Sequence, residues 1–115
     1  MTSSYQALTR SISSNVGELR TSLPAVMQGF NALGKAALSP GALDAKTKEL
    51  VALAVGVAAR CDGCIGFHTQ ALARLGATRD EVHETLGVAV YMGGGPTLMY
   101  AANAVAAFDE CMHHA

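Results

Sequence analysis

The sequence contains little charge and few aromatic side chains. Charged residues make up 15% of the 115 residues, against roughly a quarter in an ordinary soluble protein. There are three Phe, three Tyr and no Trp. Half of the residues are hydrophobic, and these are mainly Ala, Leu and Val, which suit close helix packing. Because so few charges would cover the surface of a monomer poorly, we expect a homo-oligomer.

The sequence also lacks the features of a membrane, secreted or nucleic-acid-binding protein. Its longest apolar run, residues 50–59, is about half of the roughly 20 residues that span a bilayer. The first residues have no continuous apolar core of the kind found in a signal peptide. A formal net charge of −1 provides no basic surface for nucleic acid or anionic lipid. We therefore expect a cytoplasmic protein that binds neither membranes nor nucleic acid.

Only three cysteines are present, too few for a disulfide framework. Cys61 and Cys64 form a C-x-x-C motif, which in a reducing compartment is usually catalytic or metal-binding. Cys111 has no partner nearby in the sequence, and we interpret it as a packing or surface thiol. The cysteines therefore point to thiol redox chemistry or to a metal site.

The hydrophobic pattern has a helical period throughout and no convincing strand alternation. It predicts one all-α domain over residues 1–115 with about six helices, near 4–20, 23–38, 44–59, 62–75, 79–92 and 96–112. Their limits are set by capping and turn signals: Ser22 as an N-cap, a turn at 39–41, Gly76 as the C′ residue, the Thr78–Glu81 capping box and the glycines 93–95. The third helix is apolar all round after Glu49, which suits a core or a subunit interface.

Glu49, Cys61, Cys64 and His68 form the chemically informative pattern. On a helix, Cys61 and Cys64 lie about 60° apart and Cys64 and His68 about 40° apart, so the three share one face. Cysteines three residues apart are close enough for a disulfide, and His68 is one turn from Cys64. Glu49 is about 120° out of phase with Cys61 on one straight helix. It can join the others only if the chain breaks near Arg60.

Such a break would favour an activated thiol. It would place the cysteines in the first turn of a helix, where free amides and the helix dipole stabilise a thiolate. His68 could relay a proton for the nucleophile, and Glu49 could orient the other ring nitrogen. Asp62 opposes this interpretation, because a carboxylate beside the thiols disfavours a thiolate.

The segment KELVALAVGVAARCDGCIGFHTQALARLGAT and the later Met-Gly-Gly-Gly-Pro resemble the core of the AhpD-like alkylhydroperoxidase and carboxymuconolactone decarboxylase superfamily, over about residues 43–108. The spacing of the Glu, the Cys-x-x-Cys and the His is that of its peroxidase branch. The resemblance implies an all-α fold that assembles as trimers or hexamers. It also implies reduction of a hydroperoxide or a disulfide at the expense of a dithiol reductant, without metal, flavin or another cofactor. In that cycle Cys64 attacks the peroxide, Cys61 resolves the product, and Glu49 with His68 moves the proton.

One position departs from the family pattern, and several alternatives stay open. The best-known peroxidase members have a second His between the cysteines, where this chain has Asp62-Gly63, which bears on peroxidase efficiency and on the reductant. The pair could instead belong to a non-catalytic redox sensor or assembly subunit, or the two cysteines could be buried structural thiols. A zinc site is another alternative, because Cys61, Cys64 and His68 could supply three ligands, but no fourth ligand lies nearby in the sequence. A decarboxylase-like enzyme is a further alternative, although decarboxylase members generally lack the paired cysteines. His83, flanked by Glu81 and Glu84, is expected on a solvated helix face.

Overall fold

The structure is a computed structural model and describes residues 4–113. Over these residues it contains six α-helices: α1 (Ser4–Ser22), α2 (Pro24–Leu38), α3 (Ala45–Ala58), α4 (Asp62–Arg74), α5 (Arg79–Gly93) and α6 (Gly95–His113). No strand occurs in the described part of the chain. The all-α prediction is confirmed, and the helices begin and end close to the expected residues.

Most helix ends follow the local sequence signals. Asp44 caps α3, because its Oδ1 accepts a hydrogen bond of 2.8 Å from the amide three residues on. Thr78 and Glu81 form the predicted capping box at the start of α5. Gly76 follows α4 with φ +78°, and Gly94 separates α5 from α6 with φ +76°. Both positions need glycine, because other residues rarely adopt this left-handed conformation.

The predicted cap of α2 is wrong. Ser22 is the last residue of α1, and its hydroxyl donates a hydrogen bond of 3.2 Å to the Glu18 carbonyl. Leu23 takes the N-cap position of α2 without a side-chain hydrogen bond. Pro24 starts this helix, and it has no amide proton that a cap would need to satisfy.

The core lies among α3, α4, α5 and α6. Helices α3 and α6 pack against each other, and each of them packs against both α4 and α5. Its largest fully buried side chains are Phe108, Leu53, Ile65, Leu72, Val57, Val82 and Thr69. In contrast, α2 contains no buried residue and exposes Val26, Phe30 and Leu33 along one face. None of the helices described between residues 4 and 113 has both the length and the apolar character to cross a membrane.

The first helix approaches α4 closely at two glycines. A Cβ at Gly66 would lie 2.5 Å from the Thr9 side chain, and one at Gly63 would lie 2.8 Å from Ile12. Gln70 extends the contact by donating a hydrogen bond of 2.9 Å to the Thr9 hydroxyl. The small residues of α4 therefore let α1 lie directly over its first two turns.

Candidate active site at the start of α4

The chain breaks between α3 and α4, as the phase of Glu49 requires. Arg60 has φ +60° and is the one non-glycine residue with positive φ in the described ranges. This left-handed conformation costs roughly 1–2 kcal/mol for a residue with a Cβ. The next amide, that of Cys61, donates a hydrogen bond of 3.0 Å to the Gly56 carbonyl in α3. The turn therefore ends α3 and starts a new helix at the cysteine motif.

Cys61 and Cys64 are joined by a disulfide, with Cα atoms 5.2 Å apart. The prediction that the two residues are close enough for this bond is confirmed. Cys61 is the N-cap of α4, and its Sγ accepts a hydrogen bond of 3.2 Å from the Cys64 amide. Both cysteines are partly exposed. A sulfur at this position meets the free amides and the positive end of the helix dipole, which favour a thiolate.

Glu49 and His68 meet across the contact between α3 and α4. Glu49 Oε1 lies 2.6 Å from His68 Nδ1. The Glu49 side chain is 12% exposed and the His68 side chain 27%, so water reaches the imidazole but largely not the carboxylate. Since a carboxylate only accepts hydrogen bonds, Nδ1 donates the proton. The other ring nitrogen is then left to exchange a proton with a reacting group.

His68 shares α4 with the cysteine motif but forms no hydrogen bond to either sulfur among the described residues. In the disulfide the two sulfurs carry no proton, so neither can donate a hydrogen bond to the imidazole. His68 nevertheless lies one helical turn after Cys64, on the helix that begins at the cysteine pair.

Tyr5 is a neighbour of the site that sequence reasoning missed. Its hydroxyl donates a hydrogen bond of 2.6 Å to Asp62 Oδ1, and its amide donates to both carboxylate oxygens of Glu110 at 3.2 and 3.3 Å. Burial and the hydrogen bond to Asp62 raise the pKa of the Tyr5 phenol well above its ordinary value. No local spacing signals a contact between residues so far apart in the chain.

Gly56 is a second missed residue. A Cβ at this position in α3 would lie 2.9 Å from Cys64 Cβ. The glycine therefore sets how closely α3 approaches the cysteine pair. The sequence shows only a glycine inside an apolar helix, which has no distinguishing signal.

Cys111 and His83 have other surroundings. The Cys111 Sγ is half-buried, 4.0 Å from the Thr69 hydroxyl, and burial raises the pKa of its thiol. His83 is half-buried, and its enclosed Nε2 has no hydrogen-bond partner among the described residues. The expectation of a solvated face for His83 is wrong, because residues of α6 pack near this side of α5. Among the residues that the structure describes, no three His, Cys, Asp or Glu side chains are grouped to hold a metal ion.

Comparisons with known proteins agree with this fold. The sequence profile of the Carboxymuconolactone decarboxylase family matches residues 24–107. An uncharacterized protein of Cupriavidus necator is 41% identical over 109 residues, which cover 95% of this chain and 96% of that protein. An uncharacterized protein of the cox locus of Paracoccus denitrificans is 36% identical over 98 residues, or 85% of this chain and 88% of that protein.

Solved structures are similar over nearly the whole chain. A carboxymuconolactone decarboxylase family protein from Legionella pneumophila, in its apo form, is 53% identical, with a TM-score of 0.94 and coverage of 96% of this chain and 98% of that one. A protein of the same family from Thermotoga maritima, with a suggested involvement in antioxidative response, is 30% identical, with a TM-score of 0.82 and coverage of 91% and 90%. The chain therefore belongs to the carboxymuconolactone decarboxylase family, within the AhpD-like superfamily.

Proposed function

We propose that this protein is a thiol-dependent peroxidase or disulfide reductase whose Cys61–Cys64 pair cycles between dithiol and disulfide. The observation that supports this most is the hydrogen bond of 2.6 Å between Glu49 and His68, one helical turn from Cys64. Two purely structural thiols would need neither a proton-carrying pair nor a partly exposed sulfur at a helix N-cap. The suggested antioxidative role of the relative from Thermotoga maritima fits the same chemistry.

The proposed cycle begins with the reduced cysteine pair. The Cys64 thiolate attacks one peroxide oxygen, the O–O bond breaks, and the alcohol leaves with a proton delivered through His68. Cys64 is thereby oxidised to a sulfenic acid. The Cys61 thiol gives up its proton and attacks this sulfur, the S–O bond breaks, and the disulfide forms. The departing hydroxide takes up the Cys61 proton and leaves as water. An external dithiol then reduces the disulfide by thiol exchange and ends as a disulfide itself.

The two members of the proton-carrying pair have different tasks in this cycle. His68 accepts the proton of the Cys64 thiol and returns it to the leaving alkoxide. Glu49 accepts the hydrogen bond from Nδ1, so it holds the ring in position and stabilises the imidazolium that forms. Cys61, at the N-cap and partly exposed, is the sulfur that the incoming dithiol attacks.

Single variants test these roles with a hydroperoxide and a sulfenic acid trap of the dimedone type. Cys64→Ser should abolish the reaction with peroxide. Cys61→Ser should consume about one equivalent per subunit and stop as the sulfenic acid. Cys111→Ser is the matched control and should turn over normally. Trapping on Cys61 in the Cys64→Ser protein at the wild-type rate would reverse the assigned roles.

The proton relay and the other function classes need separate measurements. His68→Ala and Glu49→Gln should slow the reaction at neutral pH and recover partly at higher pH, because hydroxide then removes the thiol proton. Formation of the Cys61–Cys64 disulfide without turnover of peroxide in the presence of a dithiol reductant would indicate a non-catalytic redox sensor or assembly subunit instead. An activity on a lactone or carboxylate substrate that survives loss of both Cys61 and Cys64 would indicate decarboxylase-like chemistry.

A further inference from the structure

Asp62 is the residue that conflicts with thiol activation. It is the first residue of α4 and directly follows Cys61. A carboxylate at this position is stabilised by the same free amides and helix dipole that would stabilise a Cys61 thiolate. Unless it is held elsewhere, Asp62 therefore competes with Cys61 for the positive end of α4 and adds a like charge beside it.

The structure holds the Asp62 carboxylate on the side of α1. Its Oδ1 accepts a hydrogen bond of 2.6 Å from the Tyr5 hydroxyl. The backbone amide of Cys64, in the first turn of α4, instead donates a hydrogen bond of 3.2 Å to the Cys61 sulfur. The two acceptors therefore have different donors. The Asp62 carboxylate accepts a hydrogen bond from α1, and the Cys61 sulfur accepts one from the first turn of α4.

Tyr5 is itself fixed in place from two directions. Its amide donates to the Glu110 carboxylate of α6, and its ring lies against Gly66, where an added Cβ would be 3.5 Å from Tyr5 Cδ1. The backbone contact to α6 and the position of the ring beside α4 therefore place the hydroxyl at Asp62.

We propose that Tyr5 is a positioning residue for the cysteine pair: its hydroxyl holds the Asp62 carboxylate toward α1 and leaves the start of α4 to the Cys61 sulfur. The inference rests on the thiol chemistry proposed above. Without the hydroxyl, the carboxylate loses its charge-dispersing donor. It can also rotate toward the amides of α4. Both changes destabilise a Cys61 thiolate.

The groups around this contact keep Tyr5 a donor wherever thiols titrate. Burial has the largest effect on the Tyr5 phenol, followed by the hydrogen bond to Asp62 of α4 and by the electrostatic effects of Asp62, Glu110 and Tyr100. All of them raise the pKa of the phenol, so its proton stays in place. Glu49 of α3 and His68 of α4 form a hydrogen bond to each other. These two residues, and Arg60 directly before Cys61, are left unchanged by the variants below.

The test measures the thiol pKa of Cys61 without any peroxide. In a Cys64→Ser, Cys111→Ser background, the ultraviolet absorbance of the Cys61 thiolate is followed against pH. Tyr5→Phe should raise the thiol pKa of Cys61, lowering the ratio of thiolate to thiol about threefold at a given pH. Asp62→Asn removes the charge but keeps an acceptor for Tyr5, so it should lower the pKa. Tyr91→Phe, at an 85% exposed tyrosine, is the matched control and should change nothing.

The double variant separates positioning from a general structural effect. In the Asp62→Asn background, Tyr5→Phe should have no further effect on the Cys61 pKa, because the charge it positions is gone. An equal shift in both backgrounds, or no shift in either, overturns the proposal. Circular dichroism shows whether Tyr5→Phe lowers the helical content. If it does, the proposal is tested with Asp62→Asn alone, and an unchanged thiol pKa of Cys61 in that variant overturns it. The thiol pKa of Cys61 and the turnover of peroxide are separate measurements. If the pKa shifts as expected but no peroxide is turned over, the proposed function fails while the role of Tyr5 stands.

Discussion

Replacing Gly56 by alanine tests the close approach of α3 to the cysteine pair. The new Cβ would lie 2.9 Å from Cys64 Cβ, whereas non-bonded carbon atoms prefer a separation of about 3.5–4.0 Å. The two helices must therefore separate by roughly 0.5–1 Å at this point. Overpacking of this kind costs about 1–3 kcal/mol. The change from Gly to Ala inside a helix recovers about 1 kcal/mol, which leaves a net loss of about 0–2 kcal/mol of unfolding free energy.

Gly87→Ala is the matched control. Gly87 is also inside a helix, α5. Apart from its two chain neighbours and the adjacent helix backbone, no heavy atom of the described residues lies within 4 Å of an added Cβ. This variant receives the gain in helix propensity without the packing cost, so the two variants should differ by about 1–3 kcal/mol. For a domain of this size, each kcal/mol shifts the melting temperature by about 4 °C. Gly56→Ala should therefore unfold about 4–12 °C below Gly87→Ala.

Thermal unfolding followed by circular dichroism measures this difference. Both proteins should be oxidised and compared at the same concentration, because the melting temperature of an oligomer depends on concentration. Separation of the helices also moves Cys64 relative to Glu49 and His68, so sulfenic acid formation should slow in Gly56→Ala and not in Gly87→Ala. Equal melting temperatures for the two variants would refute the inference that Gly56 sets the approach of α3 to the site.

Two further predictions concern assembly and acid stability. The low charge and the exposed apolar face of α2 (Val26, Phe30, Leu33) predict a stable homo-oligomer, a trimer or hexamer; light scattering at micromolar concentration checks this, and a clean monomer peak would contradict it. Hydrogen bonds from the Thr47 amide, Lys46 and Arg79 lower the pKa values of the Asp44, Glu81 and Asp109 carboxyls respectively. Their stabilising effect is present above the ordinary carboxyl pKa and lost as the pH falls below about 4. The melting temperature should therefore fall between about pH 5 and pH 3. The fall should be smaller in Asp44→Asn, and an identical fall in that variant would argue against the contribution of Asp44.

The helices could be predicted because most of their ends depend on residues close together in the chain. The Thr78–Glu81 capping box, the Asp44 cap and the glycine after α4 each act within four residues. The assignment of Ser22 failed for a physical reason. A serine near a helix boundary can cap the following helix or bond back to a carbonyl four residues earlier. Here it bonds back to Glu18. Pro24 favours the first helical position, so Leu23 and not Ser22 is the N-cap residue of α2.

Part of the candidate site was also accessible from the sequence. The positions of Cys61, Cys64 and His68 on one helix follow from their spacing. The phase mismatch of Glu49 indicated a break near Arg60, and the structure has that break at a left-handed Arg60. These conclusions needed only the helical period. The contact between Glu49 and His68 needed, in addition, a particular crossing of α3 and α4, which the sequence could indicate as a possibility but not specify.

The helix contacts around the candidate site that escaped prediction depend on small residues at helix crossings. Gly56 lets α3 approach Cys64, and Gly63 and Gly66 let α1 approach α4. In the sequence these glycines only weaken helices, since each costs up to about 1 kcal/mol of helix propensity relative to alanine. In the structure they allow the close packing that brings Tyr5 to Asp62. Alanine at all three positions would strengthen the isolated helices and hold them apart. The poor helix formers around the cysteine motif are therefore what permits three helices to converge on one turn.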